Sequence, residues 1–215
     1  MAAAVAIVTD STAYLPEGLA RRHRLTIVPL QIVIGGAASE EGVDSTAADT
    51  ARALRRWDPV TTSRPSPQRF ADAYGAAAAT GARGIVSVHL SAAMSGTVEH
   101  LHRGGRIGAA ATLLGSALMV KPLLGIADGR IVPLEKVRTA SRALSRMEDL
   151  AVDFAGDLEV DVAVQHLGTE SRAQALAGRL HERISRLGVL HVGQAGPVMG
   201  AHAGPGMLGV VVAPR

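Results

Sequence analysis

Three hydroxyl-rich segments in the first half of the chain carry residue types suited to holding an anion. They are Thr9-Asp10-Ser11-Thr12, Thr61-Thr62-Ser63 and Ser95-Gly96-Thr97. Each follows, or sits just ahead of, a predicted element. In a parallel α/β sheet the loops leaving the strand carboxyl ends converge on one edge, where ligands bind. Helix N-termini at that edge present free N–H groups and a partial positive charge, which suit a carboxylate or phosphate. Thr62, Ser95 and Thr97 are therefore candidates to hold one small anion jointly. Ordinary N-capping uses the same residues and is their commoner employment, so the pattern alone leaves both uses open.

Histidines supply the second group of candidates. The stretch from Gly200 to Gly209 contains a formal GxGxxG at Gly204, Gly206 and Gly209, but no helix follows it, so it is not a dinucleotide fingerprint. A tight turn is expected there, displaying His202 beside exposed backbone amides. Such a histidine is more often structural, although near neutral pH it can also hydrogen-bond an acidic headgroup. His100-Leu101-His102 has the look of a metal pair. No carboxylate-rich motif stands near it, so no metal is assigned. A GxSxG elbow and a P-loop are both absent, so no motif points to a hydrolase or a nucleotidase.

The elements that must position these residues alternate between strand and helix. Val5 to Val8 is a short β-branched run expected as a buried strand, and Pro16 opens a helix through Leu19 and Arg22. Leu25 to Ile34 is one extended stretch closed by Gly35-Gly36. A helix with Ser45 as N-cap follows, then another with Ser66 as N-cap and Pro67 at its first position. Gly84 to Leu90 is a third strand, and Ser95 opens a helix. Ile107 to Val120 is a nearly all-apolar helix that Lys121-Pro122 stops. Asp128-Gly129 marks a hairpin. An amphipathic helix over 144–154, a strand over 160–164, a helix over 171–187 and strands over 189–192 and 208–212 complete the chain. Such alternation implies α/β units with parallel pairing.

Composition narrows the function classes. The chain has 215 residues, 47% of them hydrophobic, which excludes a disordered protein and permits one large domain or two small ones. There is no cysteine, so disulfide scaffolds, thiolate zinc sites and cysteine nucleophiles drop out. One Trp, two Tyr and two Phe are too few for a base-stacking platform. The pI of about 9.9 reflects arginine in place of lysine; the net charge is only +3 and the arginines are dispersed, so nucleic acid is not expected. No apolar stretch reaches the ~20 residues that cross a bilayer, so a cytoplasmic protein is expected.

Eight segments, taken in order, resemble the DegV family of bacterial fatty-acid-binding proteins. They are Val8-Thr9-Asp10-Ser11-Thr12, Thr62-Ser63-Arg64-Pro65-Ser66-Pro67, Leu90-Ser91 with Ser95-Gly96-Thr97, and Arg103-Gly104-Gly105-Arg106-Ile107. Lys121-Pro122-Leu123-Leu124, Asp128-Gly129, Lys136-Val137-Arg138-Thr139 and Gly200-Ala201-His202-Ala203-Gly204-Pro205-Gly206 complete the set. Each is weak alone, but together they span nearly the whole chain. The resemblance implies two α/β domains with mostly parallel sheets (the EDD fold), divided as residues 1–100 and 101–215. One long-chain fatty acid would be buried in an aliphatic tunnel between them. By motif, Thr62, Ser95, Gly96, Thr97 and His202 would bind the fatty-acid carboxylate, and Arg138 would stand near a partner-facing mouth. In this family the acid is presented to a separate fatty acid kinase, which makes an acyl-phosphate for phospholipid synthesis. The resemblance thus implies a carrier without a cofactor, a metal or chemistry of its own.

One departure from the family pattern stands out. Several dozen residues normally separate the Ser-Gly-Thr helix from the Gly-Gly-Arg-Ile motif, whereas here Thr97-Val98-Glu99-His100 runs directly into Leu101-His102-Arg103-Gly104-Gly105. The usual Tyr-x-Asp-Gly pattern is also blurred to Glu40-Glu41-Gly42-Val43-Asp44. The first domain is therefore expected to be incomplete. Either a middle segment is missing from this sequence, or the chain is an internally deleted homologue whose pocket is open or lost. Two other functions stay open on the sequence: an enzyme acting on a small anion through His202, and an inactive remnant.

Overall fold

The computed structural model describes residues 5–16, 18–63, 65–90 and 121–215. The expected helix opening at Ser95, the His100–His102 pair, the Arg103-to-Ile107 motif and the apolar helix over 107–120 lie outside the described residues.

Strand β1 (Val5–Asp10) is the centre of a parallel sheet, flanked by β2 (Thr26–Val28) and β6 (Gly84–Val88). Between β1 and β2 the chain makes a 3-10 turn over Ser11–Ala13 and a short helix, α1 (Leu19–Arg22). Helix α3 (Pro67–Ala79) packs on the sheet, burying Phe70 against Val8 and Val28, with Ala73 and Tyr74 alongside. Its start is as the sequence predicts: the Ser66 hydroxyl accepts from the Arg69 N–H, and Pro67 takes the position where a missing N–H does no harm. Alternate strand residues point to the other face. There Val5, Ile7, Ile27, Val86 and Val88 are exposed, Val88 by 54%.

The single extended stretch expected over 25–34 is two strands. Pro29 lacks the N–H a central strand needs, and the chain changes sheets at Pro29-Leu30. Beyond it β3 (Gln31–Ile34) is the centre of an antiparallel sheet, between β4 (Ala37–Glu40) and β5 (Val60–Ser63). Gly35 and Gly36 turn the β3–β4 hairpin with φ of 57° and 89°, a conformation that favours glycine. Helix α2 (Ala47–Arg55) is capped by Thr46 and not by Ser45. Thr46 accepts from the Asp49 N–H at 3.2 Å while Asp49 accepts from the Thr46 N–H at 3.1 Å, a reciprocal box that Ser45 is one residue too early to make.

Past residue 120, Lys121-Pro122 opens a strand where a helix stop was expected: β7 (Lys121–Ala127) pairs with β8 (Arg130–Val137). The predicted Asp128-Gly129 turn joins them, both residues at positive φ. Helix α4 (Ala140–Ala155) starts at the Thr139 cap. Strand β9 (Val160–His166) is central, parallel to β10 (Leu187–Gln194) and antiparallel to β11 (Leu208–Pro214). Its Val160, Val162 and Val164 pack with Ala151 of α4 and with Leu176 and Leu180 of α5 (Glu170–Arg183). Ile184 is extended, so α5 ends short of the Leu187 expected from sequence. Glu148 of α4 accepts from Arg179 at 2.6 Å and Arg183 at 2.8 Å, tying α4 to α5.

The last helix, α6 (Pro197–Ala203), corrects the expected Gly-rich turn. Pro197 begins it, and Gly204, at φ 81°, ends it. The α/β class is observed, with parallel pairing in the β2-β1-β6 sheet and between β9 and β10. The other described strand pairs are antiparallel.

Leu176 has no exposed surface. Leu176→Ala is expected to lower stability by about 2–5 kcal/mol through lost burial and the cavity left behind. Urea unfolding followed by circular dichroism checks this, and a loss under 1 kcal/mol (below the range for a packed leucine, roughly) would contradict the core described.

Candidate functional site

Thr62 lies on β5, opposite Ile32 of β3, and is half-buried. His202 lies in the last turn of α6 and is exposed. The fold brings these residues, 140 positions apart, to 3.3 Å between Thr62 Oγ1 and His202 Nε2. A hydroxyl and an imidazole at one point offer two rotatable or tautomeric donors without a permanent positive charge. That combination suits a carboxylate that must bind and leave. His202 is held at the end of a helix, and the exposed backbone amides expected around it are engaged, the Gly204 N–H donating to the Gly200 carbonyl at 2.8 Å.

Helix α6 is positioned by a buried carboxylate that sequence reasoning passed over. Glu41, 4% exposed, follows β4 and points at the start of α6. Its Oε1 accepts from the Val198 N–H at 2.8 Å and from the Tyr14 hydroxyl at 2.9 Å; its Oε2 accepts from the Ser11 hydroxyl. Tyr14 in turn accepts from the Met199 N–H at 3.1 Å, and Ser11 accepts from the Leu30 N–H at 3.0 Å. Two otherwise unpartnered N–H groups of the first turn of α6 are thereby satisfied from the other half of the chain. Gly196 allows the approach: a Cβ there would stand 2.7 Å from Glu41 Oε1 and inside contact distance of the Tyr14 ring. Gly200 similarly lets α6 lie against Leu167, whose Cδ2 would stand 2.7 Å from a Cβ there, with Thr50 of α2 alongside. Burial, then the charge of Glu41, pushes the Tyr14 phenol far above its ordinary range.

The other sequence candidates fall out as follows. In Thr9-Asp10-Ser11-Thr12, Asp10 caps the 3-10 turn by accepting from the Thr12 N–H at 3.0 Å, and Ser11 serves Glu41. Arg138 is exposed between β8 and the Thr139 cap of α4. Ser95, Gly96 and Thr97 lie outside the described residues. Two open grooves of about 380 Å³ border the fold, one lined by Leu54, Arg55, Trp57, Asp58 and Pro205, the other by residues of β2 and α3. Neither includes Thr62 or His202. Among the described residues no cluster of three metal-ligating side chains occurs, and no helix is long and apolar enough to cross a membrane.

Residues 4–100 and 97–215 match the family model described as uncharacterised proteins of the DegV family. The chain belongs to the DegV family. A DegV domain-containing protein of Streptomyces coelicolor is 44% identical, with 98% of this chain and 99% of that protein covered. Among solved structures, a DegV family protein of Thermus thermophilus described for its fatty acid binding superimposes with a TM-score of 0.87 at 23% identity, covering 99% of this chain and 100% of that one. DegV of Bacillus subtilis, described as a fatty acid binding protein, superimposes with a TM-score of 0.82 at 23% identity, covering 98% and 99%. These likenesses show a shared fold. The alignment with the Streptomyces protein runs over 277 positions, whereas 98% of this chain is about 211 residues, so about 66 aligned positions have no counterpart here. The two family matches meet at residues 97–100, where the sequence pattern places the shortening.

Because folding raises the Tyr14 pKa, the unfolded chain loses a proton above pH ~10 that the folded chain keeps. The stability Tyr14 contributes is therefore complete below pH ~10 and declines as pH rises beyond it. In a Tyr74→Phe variant, where Tyr14 is the sole tyrosine, absorbance titration is expected to show no phenolate up to about pH 11 while the protein stays folded. A phenolate midpoint near 10 in folded protein contradicts the burial of this group.

Proposed function

We propose that this DegV family protein binds one long-chain fatty acid, with its carboxylate at Thr62 and His202, and presents it to a separate fatty acid kinase in the cytoplasm. The observation that carries this is the 3.3 Å approach of Thr62 Oγ1 to His202 Nε2 across 140 positions of the chain. On this proposal the carboxylate sits between a domain of residues 1–100 and one of residues 101–215, and Ser95, Gly96 and Thr97 complete its donors by the family pattern. Relatives described as fatty acid binding share the fold. The physics is consistent. Each buried methylene of an acyl tail contributes about 0.8 kcal/mol, which an aliphatic, aromatic-poor interior accommodates. A carboxylate carried to the same depth must be met by several donors.

The carrier itself performs no step on the acid under this proposal. The kinase forms the acyl-phosphate for phospholipid synthesis, and exposed Arg138 contacts that partner.

Organic extraction and mass spectrometry of the purified protein are expected to yield bound fatty acid. Thr62→Ala removes a hydrogen bond to a charged group, worth about 1.5–3 kcal/mol, and is expected to weaken palmitate or oleate binding by roughly 10–100-fold. A protein that stays lipid-free and shows no affinity for either acid overturns the proposal, and unchanged affinity in Thr62→Ala overturns the site. Arg138→Ala is expected to leave acid binding intact and to slow acyl-phosphate formation when fatty acid kinase and ATP are added. Equal rates with the two proteins would remove Arg138 from the interface.

A further inference from the structure

Beside the parallel sheet, four side chains form a continuous hydrogen-bonded line that fatty-acid binding does not use. Asp10 is 2% exposed at the end of β1, and its Oδ1 is occupied by the Thr12 N–H and hydroxyl. Its Oδ2 lies 2.9 Å from His89 Nδ1. The His89 side chain is 4% exposed and its ring meets Phe70 edge-on at 5.1 Å, so its orientation is set by packing. The other ring nitrogen, Nε2, lies 2.6 Å from Ser87 Oγ. Ser87 and His89 are two residues apart, which puts them on the same side of an extended strand. Finally the Tyr74 hydroxyl lies 2.8 Å from Ser87 Oγ.

We propose that Ser87, His89 and Asp10 are a nucleophile, general base and orienting carboxylate that hydrolyse a water-accessible carboxylic ester. The proton positions are mutually consistent: Asp10 accepts from Nδ1–H, Nε2 accepts from the Ser87 hydroxyl, and Ser87 accepts from Tyr74. The accessibility runs in the order that nucleophilic catalysis needs. The carboxylate and imidazole are buried and fixed, while Ser87 is exposed.

The step balances with water as the co-reactant. Ser87 Oγ bonds to the ester carbonyl carbon as its proton passes to His89 Nε2. The carbon–oxygen bond to the alcohol then breaks, and the alcohol leaves with that proton. Water, deprotonated by Nε2, attacks the acyl-serine, releases the carboxylic acid and restores Ser87. Tyr74, beside the attacking oxygen, donates to the oxygen on which charge develops. Ser87 stands on β6 and Thr62 on β5, in different sheets, so this activity does not depend on acid binding at Thr62.

The full-length protein is incubated with a fluorophosphonate probe, digested and mapped by mass spectrometry, and p-nitrophenyl butyrate hydrolysis is followed in parallel. Label on Ser87 is expected, with Ser87→Ala and His89→Ala each losing the label and lowering turnover by at least about 100-fold. Tyr74→Phe is expected to lower turnover roughly 100-fold while leaving the label on Ser87. Circular dichroism of the Ser87→Ala protein, expected to match that of the wild type, separates lost catalysis from lost folding. Absence of label on Ser87 in folded wild-type protein overturns the proposal, as does hydrolysis unchanged by Ser87→Ala.

Discussion

A carboxylate taken out of water opposes folding unless the fold meets it with donors, and Glu41 is met only when distant parts of the chain are in place. Its partners come from two distant segments: Ser11 and Tyr14 after β1, and the Val198 N–H at the start of α6. The same interaction answers a second need, since the first turn of a helix has N–H groups with no partner within the helix. Neither half of the molecule satisfies its own polar groups here. Glycine at 196 permits this contact because the Tyr14 ring and Glu41 occupy the space a side chain would take. The position of His202, six residues beyond the Gly196 cap, and hence its approach to Thr62, follows from this clasp.

The sheet of β2, β1 and β6 shows a different constraint. On its α3 face Phe70 covers Val8 and Val28, while Val5, Ile7, Ile27, Val86 and Val88 on the other face are exposed. The Streptomyces relative has about 66 aligned positions that this chain lacks, and the shortening falls after β6. The chain therefore has fewer residues than its relative following the strand that carries Val86 and Val88. By contrast, Val160, Val162 and Val164 of β9 are completely or almost completely buried under α4 and α5.

Much of the local structure was legible because it depends on neighbours in sequence. Ser66-Pro67 opens α3, Asp128-Gly129 turns the β7–β8 hairpin, and the β-branched runs at 5–8 and 160–164 are strands. The misjudged places are those where a distant contact outweighs local preference. Pro29 lies between two strands of different sheets, which a continuous apolar run conceals. The stretch from Gly200 to Gly209 reads as a glycine-rich turn, yet its first residues belong to a helix, Pro197–Ala203, whose first N–H groups Glu41 and Tyr14 receive. Ser45 matches the composition of a cap, but Thr46 has the carboxylate three residues on.

The candidate site divides along the same line. Thr62 and His202 were identifiable by their residue types and by the order of the motifs around them. Nothing local marked Glu41, whose surrounding pattern departs from the family, or the Ser87–His89 pair, which reads as two polar residues on a strand. By itself the sequence determined the family, the α/β alternation and the internal shortening, since motif order and periodicity are properties of the chain as written. Only the tertiary structure decided which polar groups meet across 140 or 157 residues and which are buried, because hydrogen bonding and desolvation act through space, where sequence separation has no weight.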